Sequence, residues 1–94
     1  MKNWVAITAS GGEYRCEGSG VSVAGDGYYH NPEVRFVPSR DRLRMFDGGR
    51  IDWEWIRSRP ARPAPRVGDH IVLITYGDAG WRISTTVKKV EYLD

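Results

Sequence analysis

RSRPARPAPRVGDHIVLITY, residues 57–76, joins four arginines and three prolines to the most apolar run in the chain. Proline holds φ at about −65° and has no amide hydrogen, so Pro60, Pro63 and Pro65 forbid both helix and central strand. The stretch 57–66 therefore reads as an extended, polyproline-like connection inside the fold. The nearly continuous apolar run HIVLITY (70–76) is the pattern of a strand buried on both faces, the centre of a sheet. Gly68-Asp69 ahead of it is a turn signal, the glycine supplying an unusual backbone angle and the aspartate bonding nearby amides. A connection needs no arginine, so Arg57, Arg59, Arg62 and Arg66 ask for a role of their own.

Outward from this stretch the chain reads as short strands. WVAITA (4–9), a turn at Gly11-Gly12, EYRCE (13–17) and Val21–Val23 predict a meander, closed by a glycine-rich turn. YYHNP reads as a loop and VRFV (34–37) as a strand. Pro38-Ser39 predicts a helix of one or two turns with Ser39 as its cap, Leu43, Met45 and Phe46 on its buried side, and Gly48-Gly49 ending it. RIDWEWI (50–56) sets Ile51, Trp53 and Trp55 against Asp52 and Glu54 at period two, a half-buried strand. GDAG (77–80) turns the chain into WRISTTVKKVEYL. There Trp81, Ile83, Thr85 and Val87 share one face and Val90 and Tyr92 the other, which predicts a bulge or a bend. The expectation is mostly β: six or seven short strands in a small, strongly curved antiparallel barrel with at most one or two short helical turns.

The length of 94 residues suits one domain spanning 1–94 with one core. Four Trp and five Tyr supply large rings for it. Cys16 is the sole cysteine, which excludes an intrachain disulfide and fits a reducing, cytoplasmic setting. No apolar run approaches the roughly 20 residues that cross a bilayer, and the start of the chain is unlike a signal peptide, so no membrane partner is expected.

The net charge of +2 is uninformative, but its distribution is not. Residues 35–66 carry nine arginines and no lysine against four acids, for +5, while both flanking segments are slightly acidic. Arginine pairs bidentately with phosphate and stacks on rings, which lysine does not. Arg40, Arg42, Arg44, Arg57, Arg59, Arg62 and Arg66 are therefore the candidate phosphate contacts. Trp53 and Trp55, nearest to them, are the candidate base-stacking rings.

Catalytic signatures are missing. His30 and His70 stand in unrelated settings, no metal-ligand cluster is legible, and neither a phosphate-cradling GxxxxGK[ST] loop nor GxSxG occurs. The expectation is a noncatalytic protein with no metal and no cofactor. The remaining enzymatic reading is a metal-independent nuclease using His30, Tyr28, Tyr29 and an arginine.

NWVAITAS (3–10) and the span from RVGDHIVLITY to WRISTTVKKVEY (66–92) resemble EVE domains of the PUA-like superfamily, at Trp4, Ser10, Gly68, Asp69 and Tyr76. The resemblance implies a PUA-like pseudobarrel that binds RNA or DNA, with an aromatic pocket to which Trp4, Ser10, Tyr28, Tyr29 and His30 are the candidates. A Gly-Asp pair before an apolar strand also occurs in SH3-like and OB barrels, so those remain alternatives for the fold.

Two functions compete. The first is a noncatalytic module binding RNA or DNA through the arginine-rich third. The second is a small protein-binding or ligand-sequestering module, an inhibitor of the accessory or phage type, as a homodimer or with another protein. Under the first, replacing Arg57, Arg59, Arg62 and Arg66 with Gln is expected to spare the fold and weaken binding.

Overall fold

The computed structural model describes residues 3–41, 51–75 and 80–93. Among these, eight strands form two antiparallel sheets. In the first, β1 (Trp4–Thr8), β2 (Glu13–Glu17), β3 (Gly20–Val23) and β4 (Gly27–His30) run as a meander, and the last strand, β8 (Val87–Tyr92), returns beside β1. In the second, β6 (Asp69–Ile74) lies between β5 (Glu33–Pro38) and β7 (Trp81–Ile83). A 3₁₀ turn (Ser39–Asp41) follows β5, and a single-turn helix, α1 (Trp53–Arg57), precedes the proline-rich segment. The strands are arranged as two sheets and not as a closed barrel.

Local chemistry explains the meander. The side chains of β2 and β3 alternate from Tyr14 to Glu17 and from Val21 to Val23, with Tyr14, Cys16, Val21 and Val23 buried and Arg15, Glu17 and Ser22 exposed, so register follows from which face must leave water. The two-residue turn Gly18-Ser19 has Gly18 at φ 61°, the glycine-first pattern of the type II′ hairpins that match strand twist. One expectation fails here in part: of YYHNP only Asn31 and Pro32 form a loop. Tyr28 to His30 lie in β4, which pairs with β3 through Val21 opposite Tyr29 and Ser22 opposite Tyr28. Tyr and β-branched pairs across a hairpin favour this extended form.

Asp69–Ile74 form the central strand that the apolar run predicts, and Tyr76 at the end of that run lies outside the described residues. Ile71 and Leu73, with Phe36 of their own sheet, face the other sheet, where they pack with Trp4, Ala6, Tyr14, Cys16, Val21, Val23 and Val87. Val72 and Ile74 face outward and join Val37 and Ile56 in a second cluster under α1. Trp4 is fully buried and meets Phe36 edge to face at 5.8 Å, so this ring pair bridges the two sheets. Burial pushes the Cys16 thiol above its ordinary pKa.

The phase switch after Trp81 has the predicted cause. Ser84–Thr86 carry the chain from one sheet to the other, where Ser84 N donates to Ile71 O at 2.9 Å and Ala9 N to Thr86 O at 2.7 Å. In β8, Ile7 pairs with Lys89 but Thr8 with Val87, so Lys88 is an extra residue. This bulge lets Val87 and Val90 both point inward.

A second expectation is overturned at RIDWEWI, where residues 53–57 are helical and not a strand. Asp52 accepts from Trp55 N at 3.0 Å, a capping bond that a strand cannot offer, and Ser58 Oγ donates to Trp55 O at 2.6 Å at the other end. Ile56, fully buried on β5 and β6, anchors the turn. The predicted helix from Ser39 begins as the 3₁₀ turn; Leu43, Met45, Phe46 and Gly48-Gly49 lie outside the described residues.

A polar network locks the sheets on the far side. Arg82 of β7 donates to Tyr14 Oη at 2.9 Å and pairs with Asp26 at 3.0 Å, while Tyr29 Oη donates to Asp26 at 2.5 Å. That bond favours the neutral phenol and raises the Tyr29 pKa, with burial adding to it. The hydrogen bond to Tyr14 likewise raises Arg82. A folded pKa above the unfolded value stabilises the protein below about pH 10 and loses that contribution as pH rises through the folded value. The stability advantage of the wild type over Tyr29→Phe should thus be full at pH 8 and shrink above pH 10, as urea midpoints across this range will show; a constant difference would refute the link.

Candidate anion-binding cleft

After α1 the chain runs without helix or strand from Ser58 to Gly68, as the three prolines require. It is a strap fastened to the second sheet. Its own Ala64 and Pro65 are buried, and Tyr92 Oη of β8, in the first sheet, donates to Pro65 O at 3.1 Å. Asp69, 3% exposed at the start of β6, accepts from Arg62 Nη2 at 2.6 Å and from Arg66 N at 2.8 Å. Arg62 also lies over the Phe36 ring at 5.6 Å. Arg59 stacks on Trp55 at 4.5 Å and faces Asp41 at 3.6 Å. Arg57 turns the other way, onto Glu33 at 2.9 Å, where Arg35 also pairs at 3.1 Å.

These contacts correct the view of the four arginines as replaceable ornaments on a spacer. Arg62 is mostly buried and shares a carboxylate with the backbone of its own strap, so its loss must reach the fold. Arg57 does not line the cleft; its half-exposed guanidinium forks onto the carboxylate of Glu33, which is 11% exposed and also pairs with Arg35.

Between the 3₁₀ turn and the strap lies a cleft of about 660 Å³. Arg40, Arg59, Arg62 and Arg66 line it with Asp41 and Asp69, over a base of Phe36 and Pro38. Arg40 and Arg66 are exposed and make no ion pair among the described residues. Two buried donors, Arg59 Nε and Arg62 Nη1, have no acceptor among the described residues. An unmet charged donor is costly, and a ligand oxygen is one way to meet it. Gly68 completes the wall at φ 96°, a backbone angle that a side chain would strain, while its carbonyl accepts from Ser39 N at 2.9 Å.

The predicted residues divide accordingly. Arg40, Arg59, Arg62 and Arg66 come together; Arg57 does not; Arg42, Arg44 and Tyr76 lie outside the described residues. Trp55 borders the cleft through Arg59. Trp53 lies further off, under Arg57 at 6.0 Å and edge to face with the exposed Trp81 at 6.0 Å.

The candidate aromatic pocket is spread out. Trp4 and Tyr29 share the inward face, in one row through Cys16 and Val21, but stand three strands apart. Tyr28 and His30 are on the opposite face of β4, and Ser10 sits at the β1–β2 turn bonded to Thr85. The acids that position the cleft arginines were missed as such. Asp69 reads as a turn residue, and arginine partners seven and more residues away leave no local signal at either acid.

No group of three or more metal-ligating side chains occurs among the described residues, and no helix there is long and apolar enough to cross a membrane. No protein family, no curated protein and no solved structure matches this chain.

Proposed function

We propose that the protein is a noncatalytic nucleic-acid-binding module that takes phosphate groups of RNA or DNA in the arginine-lined cleft. The observation that carries this reading is the convergence of four guanidinium groups on one cleft, two of them with buried N–H groups lacking acceptors among the described residues. Guanidinium forks suit phosphate oxygens, and the half-buried Trp55 beside Arg59 offers a ring edge for a base. In this reading the two sheets are halves of a small barrel of the PUA-like kind, and the single buried thiol of Cys16 fits the reducing cytoplasm.

Fluorescence anisotropy with labelled single-stranded RNA and DNA tests it. Two to four phosphate contacts predict that log affinity falls with log salt at a slope of about −1.4 to −2.8. Absence of binding to either polymer at low salt refutes the reading.

A second reading, a protein-binding or homodimeric module, draws on Trp81, 46% exposed on the edge strand β7 and packed against Trp53. Light scattering that finds a dimer, with Trp81→Ser returning it to monomer, would favour this reading.

A further inference from the structure

We infer that the cleft receives the terminal phosphate monoester of an oligonucleotide, and not a phosphodiester inside a running strand; this rests on the nucleic-acid reading above. The first argument is the rim. Ser39 N bonds Gly68 O at 2.9 Å, joining the 3₁₀ turn to the turn before β6. Asp69 holds Arg62 at 2.6 Å, joining that turn to the strap. Arg59 faces Asp41 at 3.6 Å, joining the strap back to the 3₁₀ turn. These links hold the 3₁₀ turn, the start of β6 and the strap together around the cleft, and the exposed Arg40 and Arg66 mark its open side. A chain end can enter from outside.

The second argument is charge. Among the described residues the lining holds four guanidinium groups and two carboxylates, an excess of two positive charges. A phosphate monoester carries about −1.5 to −2 near pH 7 and offers three acceptor oxygens, whereas a diester carries a single charge and two free oxygens. The monoester matches the excess, and its additional oxygen offers a further acceptor to the exposed Arg40 and Arg66. Arg40 and Arg66 are placed to close on it from the exposed side. The third argument is size: about 660 Å³ is more than a phosphate fills and lies within the roughly 300 to 1,000 Å³ of small-ligand sites. Phe36, Pro38 and Val67 give the remaining space apolar walls for the terminal sugar or base.

The test compares oligonucleotides of about ten nucleotides bearing a 5′-phosphate, a 3′-phosphate or hydroxyls at both ends, in anisotropy titrations at one salt concentration. At least one phosphorylated end is expected to bind about tenfold tighter than the hydroxyl form, in keeping with added charge-assisted bonds. A nucleoside monophosphate should displace it and the nucleoside should not. Arg66→Gln and Arg40→Gln leave all three links of the rim intact, and each should bring the phosphorylated and hydroxyl forms towards parity while circular dichroism stays unchanged. Equal affinity for all ends, with binding still weakened by salt and by Arg66→Gln, overturns end recognition and leaves the nucleic-acid reading standing. Failure of every oligonucleotide to bind overturns both. Tighter binding of a phosphoserine peptide than of any oligonucleotide overturns both in favour of a protein ligand.

Discussion

Replacing Asp69 with alanine should lower the unfolding free energy by about 3 kcal/mol, the lower end of the cost of breaking a buried ion pair. The lower end applies because the Arg62 side chain keeps 17% exposure and water partly screens its charge. The carboxylate is the common acceptor of the Arg62 guanidinium and the Arg66 amide, so alanine leaves a charge and a backbone donor without a partner. Asp69→Asn keeps an acceptor for the amide and should cost about half as much. Arg57→Gln, by contrast, removes a half-exposed guanidinium from Glu33, which keeps its pair with Arg35, and should cost about 1 kcal/mol. Urea unfolding followed by circular dichroism measures all three. A loss for Asp69→Ala no larger than that for Arg57→Gln would mean that the strap is not fastened through Asp69.

Trp4→Ala should cost about 3 to 5 kcal/mol, a large share of the 5 to 15 kcal/mol that stabilises a typical domain. Trp4 is wholly buried between the sheets against Phe36, and its neighbours Cys16 and Tyr92 are held by the ladders of β2 and β8, so the space cannot collapse. Trp4→Phe should cost less than half of this. Its smaller ring leaves part of the space empty, but it also removes the indole Nε1, which is buried without an acceptor among the described residues. Denaturant unfolding monitored by circular dichroism separates the two. An alanine variant losing under about 1 kcal/mol would place Trp4 outside the core, where a ligand-facing ring is expected.

Much of the strand content was legible because it follows from local rules. Tyr14 and Cys16, then Val21 and Val23, alternate with polar residues, and Gly18 permits the turn between them. The run from His70 to Ile74 announced a strand covered on both faces. The mismatch between Val87 and Val90 announced the bulge at Lys88. RIDWEWI misled because a five-residue segment satisfies period two and a single helical turn alike. Asp52, with Glu54 in the first turn and Arg57 in the last, was the overlooked signature of the helix. Gly27 to His30 misled because a short strand rich in glycine and tyrosine reads as a turn until β3 is placed beside it.

The candidate site was legible in residue type and not in arrangement. The excess of arginine in the middle third is a property of the chain, and it names Arg40, Arg42, Arg44, Arg57, Arg59, Arg62 and Arg66 without distinguishing among them. Which of them can meet a ligand depends on where the acids fall. Glu33 takes Arg57 from across 24 residues, while Asp69 takes Arg62 from seven residues away and spends its other contact on the strap. Sequence alone determined most of the strands, the proline-enforced strap and the store of positive charge, because propensity, alternation and proline geometry act over a few residues. Only the tertiary structure decided that the strap would fold back on β5 and β6, since ion pairing and burial act through space. That folding sets Arg57 aside and joins Ser39 to Gly68, Asp69 to Arg62 and Arg59 to Asp41 around a single cleft.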